Sequence, residues 1–302
     1  MPLIVTGSIG IDSVHAPTGD AEEVLGGSCI YFAAAASFFT PVRLVAAVGE
    51  DFPPHFLDTF RHFKIDLAGL EQRQGSKTFR WRGKYHENMN QRDTLSVELN
   101  VLAEALPPVP HHYRDSQYVF LANTHPAGQL DLLANFPGRK LAVADTMDLW
   151  IETERETLLN LLTQIDGLVL NDSEAIMLTE ETNLIRAADR ILKMGPRFVV
   201  VKKGEHGSLL IHKDGEIVLP AFPARAVIDP TGAGDSFAGG MMGYLSSTGD
   251  LSLPGLRKAM AYGTIIASYN IEAFSLERMK QIGRSDVDKR FAGFRAMFEF
   301  GA

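Results

Sequence analysis

A chain of 302 residues, 45% hydrophobic and 22% charged, is long enough to bury a large core and suits one big α/β domain or two modest ones. Its formal net charge of -8 argues against nucleic-acid or anionic-membrane binding, which would need a basic patch. The lone cysteine, Cys29, excludes an internal disulfide and a CxxC metal framework.

Short apolar runs alternate with longer helical patterns, which predicts a parallel sheet flanked by helices. The opening MPLIVTGSIG carries no signal-peptide pattern, and no run approaches the roughly 18 apolar residues of a membrane span, so a soluble cytoplasmic protein is expected. LIVT (3–6) reads as the first strand and CIYFAAAASFF (29–39) as the first helix, with Cys29 a small buried hydrophobe. VRLVAAVG (42–49) is a strand and FLDTFRHF (56–63) a helix. YVFLAN (118–123), KLAVAD (140–145), GLVLN (167–171) and FVVVKKG (198–204) continue the strands. Between the last three lie the helical patterns ETLLNLLTQI (156–165) and LIRAADRILKMG (184–195), the second stopping at Gly195-Pro196. SLLIHKDGEIVLP (208–220) reads as a hairpin around Asp214-Gly215, ARAVID (224–229) as a further strand, and the chain from Ala233 onward as helices.

Two segments break this rhythm. SKTFRWRGKYHENMNQRDTLSVEL (76–99) alternates aromatic and charged residues, as exposed strands do, and IDSVHAPTGDAEEVLGG (11–27) separates the first strand from the first helix. Together they predict a small β lid, formed by residues 12–26 and 76–99, that covers a site and contacts a second subunit. An edge hairpin without a role is the plainer alternative.

Several apparent motifs fail on spacing. GSKT (75–78) lacks the Gly-Lys-Ser/Thr order of a phosphate loop, VTGSIGID (5–12) lacks the full dinucleotide fingerprint, and adjacent His111 and His112 would point to different faces. The informative stretch is DPTGAGDSFAGG (229–240): Gly232, Ala233 and Gly234 stand before Asp235 at the start of an apolar helix. Small residues there let backbone N–H groups approach an anion, with phosphate the candidate; the alternative is plain capping by Asp235. Further candidates follow strand-like runs, where open α/β sheets bind ligands.

DPTGAGDSFAGGMM, with GSIGID, Gly26-Gly27, NDSE (171–174) and KKGEHG (202–207) in that order, resembles the ribokinase, or PfkB, family of carbohydrate and nucleoside kinases along the chain. The resemblance implies a ribokinase-like three-layer α/β sandwich, a single domain over 1–302, with a mainly parallel sheet and the β lid. It implies Asp235 as catalytic base, the N–H groups of Gly232, Ala233 and Gly234 as anion hole, and ATP with Mg2+ as cofactors. Asn171, Lys202, Gly204, Gly207 and Thr231 would line the nucleotide phosphates, and Asn171 with Glu174 would hold magnesium largely through water. NDSE reads equally as a helix cap with Asp172 or Ser173 at the N-cap, and Lys202, standing where threonine is common, as a solvated strand end. Asp229 implies a monovalent-cation site, K+ in many relatives, or a turn cap. Asp12, Gly26, Gly27, Tyr31 and Asp145 fall at acceptor-binding positions. Tyr31 and Met147 replace the asparagines common in sugar kinases, which puts the usual sugar contacts in doubt; Tyr31, Phe79 and Trp81 either stack a nucleobase or pack a core. The expected partners are a small sugar or nucleoside substrate and a second copy through the lid. Sugar kinase, nucleoside kinase and non-catalytic sensor remain as readings, and the complete Asp235 motif argues against the sensor.

Overall fold

The computed structural model describes residues 2–299. In chain order the strands are β1 (Leu3–Thr6), β2 (Gly10–Ala16), β3 (Gly19–Gly26), β4 (Val42–Gly49), β5 (Asp66–Arg73), β6 (Phe79–Tyr85), β7 (Arg92–Glu98), β8 (Tyr118–Leu121), β9 (Leu141–Asp145), β10 (Gly167–Asn171), β11 (Phe198–Lys202), β12 (Ser208–His212) and β13 (Gly215–Leu219). The α-helices are α1 (Ser28–Ser37), α2 (Phe56–His62), α3 (Pro126–Leu133), α4 (Asp148–Thr153), α5 (Arg155–Leu162), α6 (Asp172–Thr179), α7 (Leu184–Leu192), α8 (Ala233–Thr248), α9 (Leu253–Asn270) and α10 (Arg284–Ala296).

Nine strands form one sheet in the order β13-β12-β11-β10-β9-β8-β1-β4-β5. All pairs from β11 to β5 are parallel, and the β11–β12 and β12–β13 pairs at one edge are antiparallel. Leu3 and Val5 join the core on one face, with Phe32 of α1, Met241 of α8 and Ile265 of α9; Ile4 joins the core on the other, with Leu132, Leu158 and Leu178 of α3, α5 and α6. Both faces are therefore covered, and the central strands read as unbroken apolar runs for that reason. The expected three-layer α/β fold is present. Small residues bring α8 onto α1: a Cβ at Gly243 would meet Ala36 Cα at 2.9 Å.

The second sheet has the order β3-β2-β6-β7 and contains the two segments that break the βα rhythm. β2 and β6 pair in parallel, and their outer neighbours pair antiparallel. The strand expected over 224–229 does not form. Ala224, Arg225 and Ala226 are exposed, and the N–H groups of Ile228 and Asp229 donate to Ile271 O beyond α9, so the segment is pinned to a helix end instead of a ladder. Strand β5 and helices α3, α4 and α6 join the elements read from sequence. Cys29 is buried, His111 and His112 are exposed, and no helix among the described residues is long and apolar enough to cross a membrane.

Candidate active site

The turn before α8 is built by Asp229, whose Oδ1 accepts the Thr231 N–H at 2.8 Å, and by Asn270, whose Nδ2 donates to Thr231 O at 2.8 Å. Gly232 is the N-cap with φ 74°, a left-handed conformation that favours glycine, and no side chain caps the helix. The Ala233 N–H turns to Pro230 O at 3.1 Å, which leaves the N–H groups of Gly232 and Gly234 for a ligand, as an anion site requires. The Asp235 carboxyl takes a hydrogen bond from its own first-turn N–H and closes no capping box with Gly232. A positive φ is required at Gly232, not Gly234, while a Cβ at Gly234 would stand 2.9 Å from Lys202 Nζ.

The parallel register of β9, β10 and β11 brings Asp145, Asn171 and Lys202 to adjacent strand ends. Lys202 Nζ lies 3.6 Å from Asp145 Oδ2. Burial alone would depress the Lys202 ammonium, but the carboxylates of Asp145, Glu174 and Asp235 hold it above its ordinary value. Lys202 is therefore no solvated strand end. Burial raises Asp145, against the pull of Lys202. Asp235 is pushed up to about 7, first by desolvation and then by Asp145, with Lys202 and Arg92 opposing.

Asn171 and Glu174 close a capping box: Asn171 Oδ1 accepts Glu174 N at 2.8 Å and Glu174 Oε2 accepts Asn171 N at 2.7 Å. The N-cap is Asn171, not Asp172 or Ser173, because only the Asn171 side chain reaches the N3 amide. Desolvation and Asp145 raise the Glu174 carboxyl to about 8. No group of three acidic, His or Cys side chains among the described residues converges to hold a metal directly. The surplus of carboxylates over Lys202 fits Mg2+ held through water, since that ion dehydrates reluctantly. Gly204 and Gly207, with φ 52° and 82°, shape the turn after β11.

Asp12 on β2 is only 4% exposed, and its Oδ1 is buried without a hydrogen-bond partner. Desolvation, then Asp229 and Asp235, raise its carboxyl to about 8, and a hydrogen bond from Gly27 N–H opposes this. Gly26 packs on the Asp12 carboxyl with no room for a Cβ, and Gly27 turns into α1 with φ 101°. Asp229 Oδ2 is also buried and unpartnered. Tyr31 is 2% exposed, and its ring lies against Gly232. Burial there removes Tyr31 as a base-stacking surface and gives it a packing role under the anion turn. Phe79 packs on Gly10, whereas Trp81 lies along the lid strand over Gly83 and stays partly exposed.

A polar rim after β8 and β9 was not read from sequence. Asn123 Oδ1 accepts Trp150 Nε1 at 2.9 Å, and Asn123 Nδ2 lies 3.0 Å from Met147 Sδ. Asn123 ends YVFLAN, so the strand-end rule that singled out Asp145 reaches it too. Asp145, Glu174, Lys202, Gly234 and Asp235 are one group, and Asp12, Gly26, Gly27 and Asp229 form a second beside it. The arrangement sets a buried, acid-rich cluster next to a helix N-terminus.

Residues 133–278 match the family described as pfkB family carbohydrate kinase. The cytidine kinase of Thermococcus kodakarensis is 29% identical over 252 residues, covering 81% of this chain and 88% of that protein. Among solved structures, Methanocaldococcus jannaschii nucleoside kinase, an archaeal member of the ribokinase family, superposes with TM-score 0.77 at 21% identity, covering 97% of this chain and 98% of that one. An Escherichia coli chain solved with ATP and Mg2+ superposes with TM-score 0.78 at 14% identity, covering 96% and 99%. The fold and the family profile agree: over residues 133–278 the chain matches the PfkB family of carbohydrate kinases, and it is similar along its length to sugar and nucleoside kinases.

Proposed function

We propose that this kinase transfers the γ-phosphoryl group of ATP to a hydroxymethyl group of a small sugar-like acceptor, with Asp235 as general base and the backbone of Gly232, Ala233 and Gly234 as anion hole. The observation that carries this reading is the pairing of two unlike environments: an uncapped helix N-terminus beside buried carboxylates at Asp12 and Asp229 that each keep an unpartnered oxygen. An unpartnered buried carboxylate oxygen is costly until a donor meets it, and vicinal hydroxyls are donors of the right kind. An Asp235 carboxyl near 7 is matched to accepting a proton at neutral pH. In a loose transition state it need only orient the hydroxyl and take the proton late, while the helix N-terminus and Lys202 stabilise the phosphoryl charge.

Lys202 and the turn carrying Gly204 and Gly207 would line the nucleotide phosphates, with Thr231 at the edge of the anion turn. Asn171 and Glu174 would hold Mg2+ through water, and the ion would neutralise phosphate charge. The unpartnered Asp229 Oδ2 suits a monovalent cation such as K+. A second reading, in which the hydroxymethyl is the ribose 5'-hydroxyl of a nucleoside, is favoured by the relation to a cytidine kinase over 88% of that protein's length and by the partly exposed Trp81. The lid would also pair with its copy in a homodimer, through its free edge. A coupled ADP-release screen over sugars, inositols and nucleosides, with Asp235→Asn as blank, tests the reading. Turnover by the wild type that the variant lacks supports it; equal ADP release by both removes the base assignment.

A further inference from the structure

Arg92 opens β7 and stands opposite Tyr85 in the antiparallel register of the lid. Directly opposed residues share a face of a sheet, and here that face is the one over the cleft. The Tyr85 ring is buried, and its hydroxyl lies 3.1 Å from Thr231 Oγ1, one residue before the Gly232 turn. On the other side of Arg92, Asn90 Nδ2 donates to Glu205 Oε1 at 2.8 Å in the turn after β11. The start of β7 is thus stitched to both walls of the cleft.

The guanidinium of Arg92 lies 5.7 Å from the centre of the Trp81 ring, which itself rests on Gly83 where no Cβ intervenes. Arg80 and Arg82 on the neighbouring strand are held by Glu23, Asp51 and Glu22. Among the described residues, no carboxylate lies within ion-pair distance of Arg92. An arginine shelved on an indole and kept from acids retains its planar, bidentate donors for a ligand. Its charge is also felt inside the cleft, where it acts with Lys202 to lower the Asp235 carboxyl.

We propose that Arg92 is a catalytic residue carried by the lid, which contacts the phosphoryl group in transfer from the side opposite the Gly232–Gly234 turn. The proposal rests on the phosphotransfer reading above. The anion falls to the nucleotide: Asp229 lies at the acceptor end beside the buried Asp12, and a carboxylate there disfavours a second anion. As the bond from the γ-phosphorus to the ADP oxygen breaks and that to the acceptor oxygen forms, the acceptor proton passes to Asp235, and charge spreads over the three equatorial oxygens. A guanidinium can donate to two of these at once.

The test uses full-length Arg92→Ala and Arg92→Lys, with three measurements: affinity for ADP with Mg2+, the tightening of that affinity by aluminium fluoride as a mimic of the phosphoryl in flight, and turnover with and without added guanidinium. For Arg92→Ala the expected result is unchanged ADP affinity, loss of the aluminium-fluoride tightening, and a fall in kcat of about 100-fold to 1000-fold, the scale of a lost transition-state donor. Free guanidinium should restore part of the turnover of Arg92→Ala and none of that of Asp235→Asn. The kcat of Arg92→Lys should fall between those of Arg92→Ala and the wild type. Unchanged kcat with full aluminium-fluoride tightening in Arg92→Ala overturns the proposal, even if the acceptor KM rises, because that pattern belongs to a lid contact. If the wild type itself binds no ADP, the nucleotide reading fails and the proposal falls with it; if the wild type is tightened and the variant equally so, only the Arg92 proposal fails.

Discussion

Asp235 has the clearest pH signature in the cleft. Its carboxyl is pushed up to about 7, and the proposed base must be ionised to accept a proton, so under that proposal kcat should rise with pH and reach half its plateau near pH 7. Lys202 opposes that elevation, and Lys202→Met should therefore move the rise to higher pH as well as weaken ATP binding; a profile that shifts down or stays put would show that Lys202 does not act on the base. Asp235→Asn should fold and bind ATP while losing at least about 100-fold in kcat. Asp12 gives a stability prediction of defined sign. Its folded carboxyl is raised to about 8, so the proton it binds stabilises the fold fully below about pH 4, and this contribution is lost as pH rises through 8. Thermal denaturation without ligand should show a smaller drop in Tm between pH 5.5 and 8.5 for Asp12→Asn than for the wild type, and an equal drop would mean that Asp12 is not held protonated. At this scale much of the site could be read from residue types and spacing, because glycine before an acid at a helix start has few physical uses. Tyr31 could not: an aromatic in an apolar helix looks the same whether it faces a ligand or lies under a turn, and only the position of Gly232 decides.

The lid's two stitches make the hairpin β6–β7 the element on which acceptor binding should depend. Tyr85→Phe removes the hydroxyl that meets Thr231 and leaves the buried ring in place. A net hydrogen bond is worth about 0.5–1.5 kcal/mol, so closure should weaken by roughly 2-fold to 12-fold. The acceptor KM should rise by that order, and ATP hydrolysis relative to transfer should increase because water enters an open cleft. If neither changes, this contact does not govern closure. The elements that sequence revealed are those with one plain signal: β1, β10 and β11 are apolar throughout because both faces are covered, and β6 alternates because one face is covered and the other is not. Strand β5, DLAGLEQR, lies at the sheet edge with exposed polar residues and has neither pattern. The segment ARAVID has strand-like residues, yet lacks a ladder partner and is held instead by Ile271 O and Thr18. Local preference does not encode which neighbour will be present.

For the whole molecule, the proposed homodimer would rest on the free edge of the lid. β7 closes the order β3-β2-β6-β7 and is exposed along all seven residues, with Leu95 and Val97 at 51% and 47% exposure. An unpaired strand edge carrying two large apolar side chains is a template for another strand. The proposed homodimer would use two-fold symmetry: an antiparallel pairing of β7 with itself about Ser96 would set Leu95 of one copy opposite Val97 of the other. Fully burying such a side chain is worth about 1.5–3 kcal/mol, and each is already half covered, so side chains alone give a weak contact that the backbone ladder must complete. Charge at these positions should therefore be decisive: the double variant Leu95→Lys, Val97→Lys should sediment as a monomer at concentrations where the wild type is a dimer. Because pairing would stiffen the lid hairpin, the monomeric variant should also show a raised acceptor KM with ADP affinity unchanged. A wild type that sediments as a monomer would leave β7 a solvent-facing edge, and a double variant that stays dimeric would place the contact elsewhere on the molecule.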